Sequence, residues 1–191
     1  GGTEVTEKTV VKNPNDHTLY AHWTANPFLL IYHSNYNVEG MVEATSQSPQ
    51  WKTDDYVTLK HIESAGFAKP GYTFAGWNTK ADGSGKLFTE TGAAHKVQFT
   101  ADDIDEKGEA HLYAQWTPNT YTVEFKANGG EGTMDDQEFT YDVAQALTTN
   151  AFTKTGYTFA GWKDGSGNSY TDGQTVKNLA TEGTVTLTAH W

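Results

Sequence analysis

The chain has 191 residues, a formal net charge of −11 and no cysteine. That charge argues against nucleic acid and anionic membranes as partners, since both need basic patches, and the missing thiols exclude disulfides and thiolate metal sites. Only 36% of residues are hydrophobic but 13% are aromatic, which separates the chain from disordered sequences and lets a few large rings build small cores.

No apolar stretch approaches a membrane span, and no signal peptide is visible. The opening Gly-Gly and the start within a repeat predict a piece excised from a longer protein. Repetition organises the rest. Residues 67–77 read FAKPGYTFAGW and residues 152–162 read FTKTGYTFAGW, identical at nine of eleven positions. A second phrase closes three times on Trp: LYAHW at 19–23, LYAQW at 112–116 and LTAHW at 187–191. Self-similarity on this scale predicts an array, divided as residues 1–23, 24–116 and 117–191.

Residues 1–23 align only with the end of a module. VTEKTVVKNPNDHTLYAHW resembles YTDGQTVKNLATEGTVTLTAHW at 170–191, with no opening strand and no GYTFAGW. Such a fragment is expected to borrow a sheet edge from the next module or to swap between chains.

Residues 24–116 open on Phe28, Leu30 and Tyr32, a strand face. Leu29 and Ile31, on the other face, are also apolar, which predicts a strand covered on both sides, by the leading fragment or by residues 41–66. An acidic run follows at Asp102, Asp103, Asp105 and Glu106, read as a solvated loop or helix start.

Residues 117–191 give the cleaner pattern. Tyr121, Val123, Phe125 and Ala127 alternate with Thr122, Glu124 and Lys126, a half-buried strand. Asn128-Gly129-Gly130 supplies a turn, where the preceding module carries His33-Ser34-Asn35-Tyr36-Asn37 instead. A second strand is expected within 134–141, a short helical turn from Asp142 as N-cap to Leu147, a third strand over 157–162 and a last one over 184–191. The fold class expected is α+β, mostly β, in tandem small sheet modules.

The opening Tyr-Thr-Val-x-Phe, the Asn-Gly-Gly turn, Gly-Tyr-Thr-Phe-Ala-Gly-Trp, the DGSG turn and Leu-Tyr-Ala-x-Trp together resemble the Listeria–Bacteroides repeat, or internalin-type B repeat. The resemblance covers nearly the whole chain. It implies β-grasp-like modules in tandem, in large secreted or wall-anchored bacterial surface proteins that include adhesins. It implies no catalysis and no cofactor, and it names no ligand.

The GYTFAGW phrases could make aromatic platforms for sugars, but recurrence favours Tyr72, Phe74 and Trp77, with Tyr157, Phe159 and Trp162, as shared core. The DGSG turns at 82–85 and 164–167 offer too few oxygens for calcium and read as turns. The acidic run lacks the EF-hand pattern. Seven histidines show no metal-binding spacing, with His17, His22, His111 and His190 expected on solvent faces, so no metal site is expected. A Lys–Asn isopeptide link through Lys126 or Lys177 has no motif behind it. No nucleophile elbow, P-loop or dinucleotide fingerprint appears. Ligand-binding candidates are therefore sought where the modules differ, at Trp51, Tyr36 and Tyr56. Trp51 has no Trp counterpart in the last module and is equally readable as a core contact over Leu29 and Ile31. The expectation is a non-catalytic stalk or adhesive region on the bacterial surface, meeting host or matrix proteins or glycans and its neighbouring repeats. The alternative is an accessory carbohydrate-binding module of a secreted polysaccharide-degrading enzyme. Short links at 23–27 and 116–119, each with a proline, predict restricted swing between modules.

Overall fold

The computed structural model describes residues 4–10, 12, 15–16, 18–21, 25–36, 45–47, 51–52, 55–89 and 96–191. Fifteen strands lie among them: β1 (Pro27–His33), β2 (Thr45–Gln47), β3 (Trp51–Lys52), β4 (Tyr56–Thr58), β5 (Tyr72–Asn78), β6 (Leu87–Phe88), β7 (Lys96–Gln98), β8 (Glu109–Pro118), β9 (Thr120–Lys126), β10 (Gln137–Thr140), β11 (Gln145–Ala146), β12 (Gly161–Lys163), β13 (Ser169–Tyr170), β14 (Thr175–Val176) and β15 (Gly183–His190). They form two sheets of matching order, β2-β1-β8-β5-β6 with β3 added on β1, and β10-β9-β15-β12-β13. Each sheet has a two-stranded companion, β4-β7 and β11-β14.

In each sheet the closing strand is central. It runs parallel to the opening strand, β8 with β1 and β15 with β9, and antiparallel to the GYTFAGW strand. A parallel neighbour needs a long crossover, and the 34–108 and 127–182 stretches supply it. Period-2 alternation sets the inward faces. Tyr121, Val123 and Phe125 are buried on β9, and Ala110, Leu112 and Ala114 on β8.

The repeated phrases are halves of one packing unit. Trp77 lies opposite Ala114 and Trp162 opposite Ala189, both indoles fully buried. A small residue is needed there because the facing ring fills the space. The second glycine of each phrase is equally constrained. Gly76 has φ 134° and Gly161 φ 127°, and a Cβ would stand 2.5 Å from the Phe88 carbonyl oxygen or 2.6 Å from that of Tyr170. At Gly76 the β5–β8 register shifts by a bulge, a usual place for glycine.

Several expectations change. The mostly β character holds, but the α part does not: helical structure among the described residues is two three-residue 3₁₀ turns, Glu63–Ala65 and Ala101–Asp103. The helix expected over 142–147 is absent: Asp142 adopts φ 63°, not the extended conformation usual for an N-cap. Gln145 and Ala146 instead pair with Val176 and Thr175. The ribbon is tied back to β10 by Gln137 Nε2 donating to the Ala146 carbonyl at 2.9 Å and Gln145 Nε2 to that of Glu138 at 3.2 Å. The strand expected over 157–162 is shortened to β12.

The first module does have a counterpart of the Asn-Gly-Gly turn. Asn35 and Asn128 share φ 49° and 50°, and their Nδ2 groups donate to the Ala114 and Ala189 carbonyls at 3.0 and 2.9 Å. Asn tolerates the left-handed region without glycine's help. Ile31 is buried yet stands apart from the main cluster around Trp77. Of residues 41–66, expected to cover it, 41–44, 48–50 and 53–54 lie outside the described residues, as do His17, His22 and Trp23. The described residues of the leading fragment are exposed and form no strand.

Candidate functional site

A polar constellation lies where the two sheets join. β8 ends at Pro118 and β9 begins at Thr120, leaving Asn119 alone between them. All four of its polar groups are used. Its amide donates to the Gly71 carbonyl at 2.9 Å, and its carbonyl accepts from the Tyr141 amide at 2.8 Å. Its Oδ1 accepts from Thr73 Oγ1 at 2.6 Å, and its Nδ2 donates to the Thr181 carbonyl at 3.2 Å. Gly71 and Thr73 belong to the first sheet's side, Tyr141 and Thr181 to the second's.

Around this link the first GYTFAGW phrase meets the turn after β10. The Tyr72 hydroxyl donates to the Asp142 carboxylate at 2.6 Å. Asp142 also accepts from Asn178 Nδ2 at 2.8 Å and pairs with Lys177 Nζ at 3.1 Å. Asn178 Oδ1 takes the Asp142 amide at 2.6 Å, with Asn178 itself at φ 56°. The Tyr141 ring meets Tyr72 edge-on at 5.7 Å. It also covers Gly71 so closely that a Cβ there would fall 2.5 Å from ring carbons. Lys69 Nζ sits 3.6 Å from the Tyr72 centroid and 5.4 Å from that of Tyr36, a cation–π arrangement.

The electrostatics follow from these contacts. The hydrogen bond to Asp142, with lesser help from burial, pushes the Tyr72 phenol from 10.0 up to about 12. Donors from Tyr72, Asn178 and Lys177 hold Asp142 well below the usual carboxylate range. Burial pulls the Lys69 ammonium down, partly offset by Asp142. Tyr72, read from sequence as core, is thus a half-exposed junction residue, and Tyr157 is 62% exposed. Phe74 and Phe159 are partly buried, each packed on its own core. Trp77 and Trp162 are the core residues that recurrence predicted.

The three ligand candidates have separate surroundings. Tyr36 shares Lys69 with Tyr72 at the junction. Trp51 stands opposite Phe28 on β3, packed against the first core, with its Nε1 buried and unpartnered. Tyr56 is 62% exposed on β4, opposite Gln98. The DGSG carboxylates are occupied within their own turns. Asp82 accepts from Ser84, and Asp164 from Ser166, Asn168 and the Tyr170 hydroxyl. Lys126 pairs with Glu124 and Lys177 with Asp142, both lysines half-exposed rather than buried beside an asparagine.

Asp105, Glu109 and His111 converge with ligand atoms within 4.8 Å of one another. His111 is also bonded to His33 at 2.9 Å, so it is not the simple solvent-face residue that its strand position implied. This is the group, among the described residues, that could accept a cation. Sequence spacing missed it because Asp105 reaches the strand through a turn in which its Oδ1 accepts the Lys107 and Glu109 amides.

The Asn119 and Asp142 contacts were equally hidden. Their signal was Asn and Asp at positions that repeat motifs pass over. Comparison with known proteins gives a consistent identity. The chain is 32% identical over 153 residues to "Putative Gly-rich membrane protein" of Evansella cellulosilytica, covering 80% of this chain and 16% of that protein. It is 37% identical over 126 residues to "Internalin H" of Listeria monocytogenes, covering 64% of this chain and 20% of that one. The chain therefore spans a fifth or less of the length of these two relatives. No solved structure matches it. Among the described residues no helix is long and apolar enough to cross a membrane. The Listeria-Bacteroides repeat domain matches residues 32–115 and 121–190, one match for each sheet, and the chain belongs to that family.

Proposed function

We propose that this chain is a non-catalytic stalk region of a bacterial extracellular surface protein. In this reading residues 24–116 and 117–191 are two β-grasp-like modules, and residues 1–23 are the end of a preceding one. The mixed sheet with its central parallel pair supports the β-grasp-like reading. The similarity to Internalin H and to a membrane protein supports the location. The observation that carries the stalk reading is Asn119, a one-residue link bonded to both modules. A spacer must hold its modules at a set angle, and a residue with every polar group engaged does this without a long interface. Small-angle scattering tests it: the intact chain should fit one interdomain arrangement, and a profile that demands freely jointed modules would sink the reading.

The adhesive part of the proposal rests on Trp51, Tyr36 and Tyr56, where the first module departs from the second. Aromatic residues beside polar groups are frequent recognition anchors. Binding of the intact chain to an array of mucins, matrix proteins and polysaccharides tests this part. A saturable hit lost in Trp51→Ala with an unchanged melting point supports a recognition surface. A blank array leaves a stalk alone.

A further inference from the structure

The turn into the closing strand is the same in both modules, but its side chains are not. Residues 104–112 read IDEKGEAHL and residues 179–187 read LATEGTVTL, aligned without a gap. Gly108 and Gly183 hold φ 77° and 76°, and Leu112 and Leu187 are both fully buried. This alignment sets Ala180, Thr184 and Thr186 where the first module has Asp105, Glu109 and His111, and the strand register sets Lys126 where it has His33. In the second module this face closes on itself. Thr186 Oγ1 donates to Glu124 Oε2 at 3.2 Å, and Lys126 pairs with the same carboxylate. The fold therefore does not require the ionisable trio of the first module.

The trio suits a cation. His111 Nε2 stands 3.4 Å from Asp105 Oδ2 and 3.9 Å from Glu109 Oε2. Bonds of about 2.1 Å in a tetrahedron set ligand atoms ~3.4 Å apart, so a modest turn of the partly exposed Glu109 carboxylate completes three corners. Two of the ligands are steadied from behind, as metal ligands usually are. Asp105 Oδ1 takes the Lys107 and Glu109 amides at 2.8 and 2.9 Å, which aims Oδ2 at the ion. His111 Nδ1 lies 2.9 Å from His33 Nε2, and the His33 ring stacks on Tyr113 at 4.3 Å. The fourth corner opens on a groove of about 310 Å³ that Asp102 and Asp103 also line.

We infer that Asp105, Glu109 and His111 form a site for a divalent first-row transition ion such as zinc, with water at the open position. Calcium and magnesium fit poorly, because both prefer oxygen to imidazole and calcium wants more oxygens than these side chains give. His111 coordinates through Nε2, so its proton sits on Nδ1 and is donated to His33 Nε2. His33 is thus a positioning residue. The ion ties the turn at Asp105 to β8 in the first module alone. The inference does not rest on the stalk reading.

The test titrates the full chain, stripped with a chelator, with zinc by calorimetry and follows both melting transitions. One zinc should bind per chain and raise the first module's transition, since a ligand stabilises what it binds, and leave the second's unchanged. Asp105→Asn, Glu109→Gln and His111→Gln should each weaken binding by about tenfold or more, with the apo chain still folded. His33→Phe should weaken it by about tenfold, the usual loss for a residue behind a ligand, and His33→Gln, which keeps an acceptor, should recover part of that. Imidazole ¹⁵N shifts should show His111 as the Nδ1–H tautomer once zinc is added. His190→Gln, which removes an exposed imidazole of the second module, should change nothing. Should His111→Gln fail to fold, the milder Glu109→Gln decides. Zinc binding that never saturates, or that survives Asp105→Asn and Glu109→Gln, overturns the inference. So does calcium binding as tightly as zinc, or a loss in His190→Gln equal to that in His111→Gln, which would mean adventitious surface histidines.

Discussion

Tyr72 and Asp142 lie seventy residues apart and are joined hydroxyl to carboxylate at 2.6 Å. The bond crosses from one sheet's edge to the turn of the next. The first module thus uses a motif residue to grip its neighbour, and the carboxylate that receives it is held in place by Asn178 and Lys177. Replacing either partner should separate the modules energetically without unfolding them. Calorimetry of Tyr72→Phe and Asp142→Asn should show the two melting transitions moving apart relative to the parent chain. The double variant should cost little more than either single one, since partners in one bond are not additive.

Gly71 and Gly156 make a matched pair for the same question. Both hold left-handed φ, so an alanine at either costs about 1 kcal/mol in backbone strain. Only at Gly71 does the new Cβ fall 2.5 Å from the Tyr141 ring. Gly71→Ala should therefore lower the melting temperature clearly more than Gly156→Ala and expose Tyr141 to nitration. Equal effects would mean that the ring moves aside freely and that the contact carries no coupling.

Much of each module was readable from residue pattern. The alternation of Tyr121, Val123 and Phe125 marks its strand because one face meets the core and the other meets water. The two buried tryptophans follow from recurrence, since equivalent modules need equivalent cores. Tyr72 and Tyr157 were misread for a physical reason. They belong to a phrase whose other aromatics pack inward, but Tyr72 lies where β8 passes on into the next sheet and Tyr157 lies outside any strand, ahead of β12, and sequence periodicity does not say what a strand end touches. Asp142 was misread as a helix cap because its residue type suits both a cap and a left-handed turn. The choice between them is made by Asn178, thirty-six residues on. The cluster of Asp105, Glu109 and His111 has the same origin, three side chains gathered by a turn and a strand rather than by helical spacing.

The junction should have a defined pH window. Asp142 is held below its ordinary value in the folded chain, so its contribution is present above about pH 4, the unfolded carboxylate value, and is lost as pH falls through the folded one. Tyr72 is raised from 10.0 to about 12, so its contribution is complete below pH 10.0 and is lost as pH rises towards 12. Coupling of the two melting transitions should therefore be flat through neutrality and weaken at both ends. Tyr72→Phe should remove the alkaline loss that belongs to this bond, and Asp142→Asn the acid one. A coupling that falls steadily across neutral pH would point to a titrating group elsewhere.

The two core tryptophans, equivalent in the repeat, should not be equivalent in energy. Trp77 Nε1 donates to the Lys60 carbonyl at 2.8 Å, and Tyr32, 4.9 Å from its ring, takes the Lys60 amide on its hydroxyl at 3.2 Å. Trp162 packs on Phe125 at the same 4.9 Å, but its Nε1 is buried without a partner. Replacing either indole by phenylalanine leaves a cavity costing about 1–3 kcal/mol. At Trp77 the change also abandons a hydrogen bond and its acceptor, roughly a further 1 kcal/mol. At Trp162 it removes a donor that is already unsatisfied, which offsets part of the cavity. Trp77→Phe should thus lower its module's melting temperature by about 4–8 °C more than Trp162→Phe lowers that of the other, the shift expected for ~1 kcal/mol in a domain of this size. Equal losses would mean that the Lys60 carbonyl finds another donor once the indole is gone.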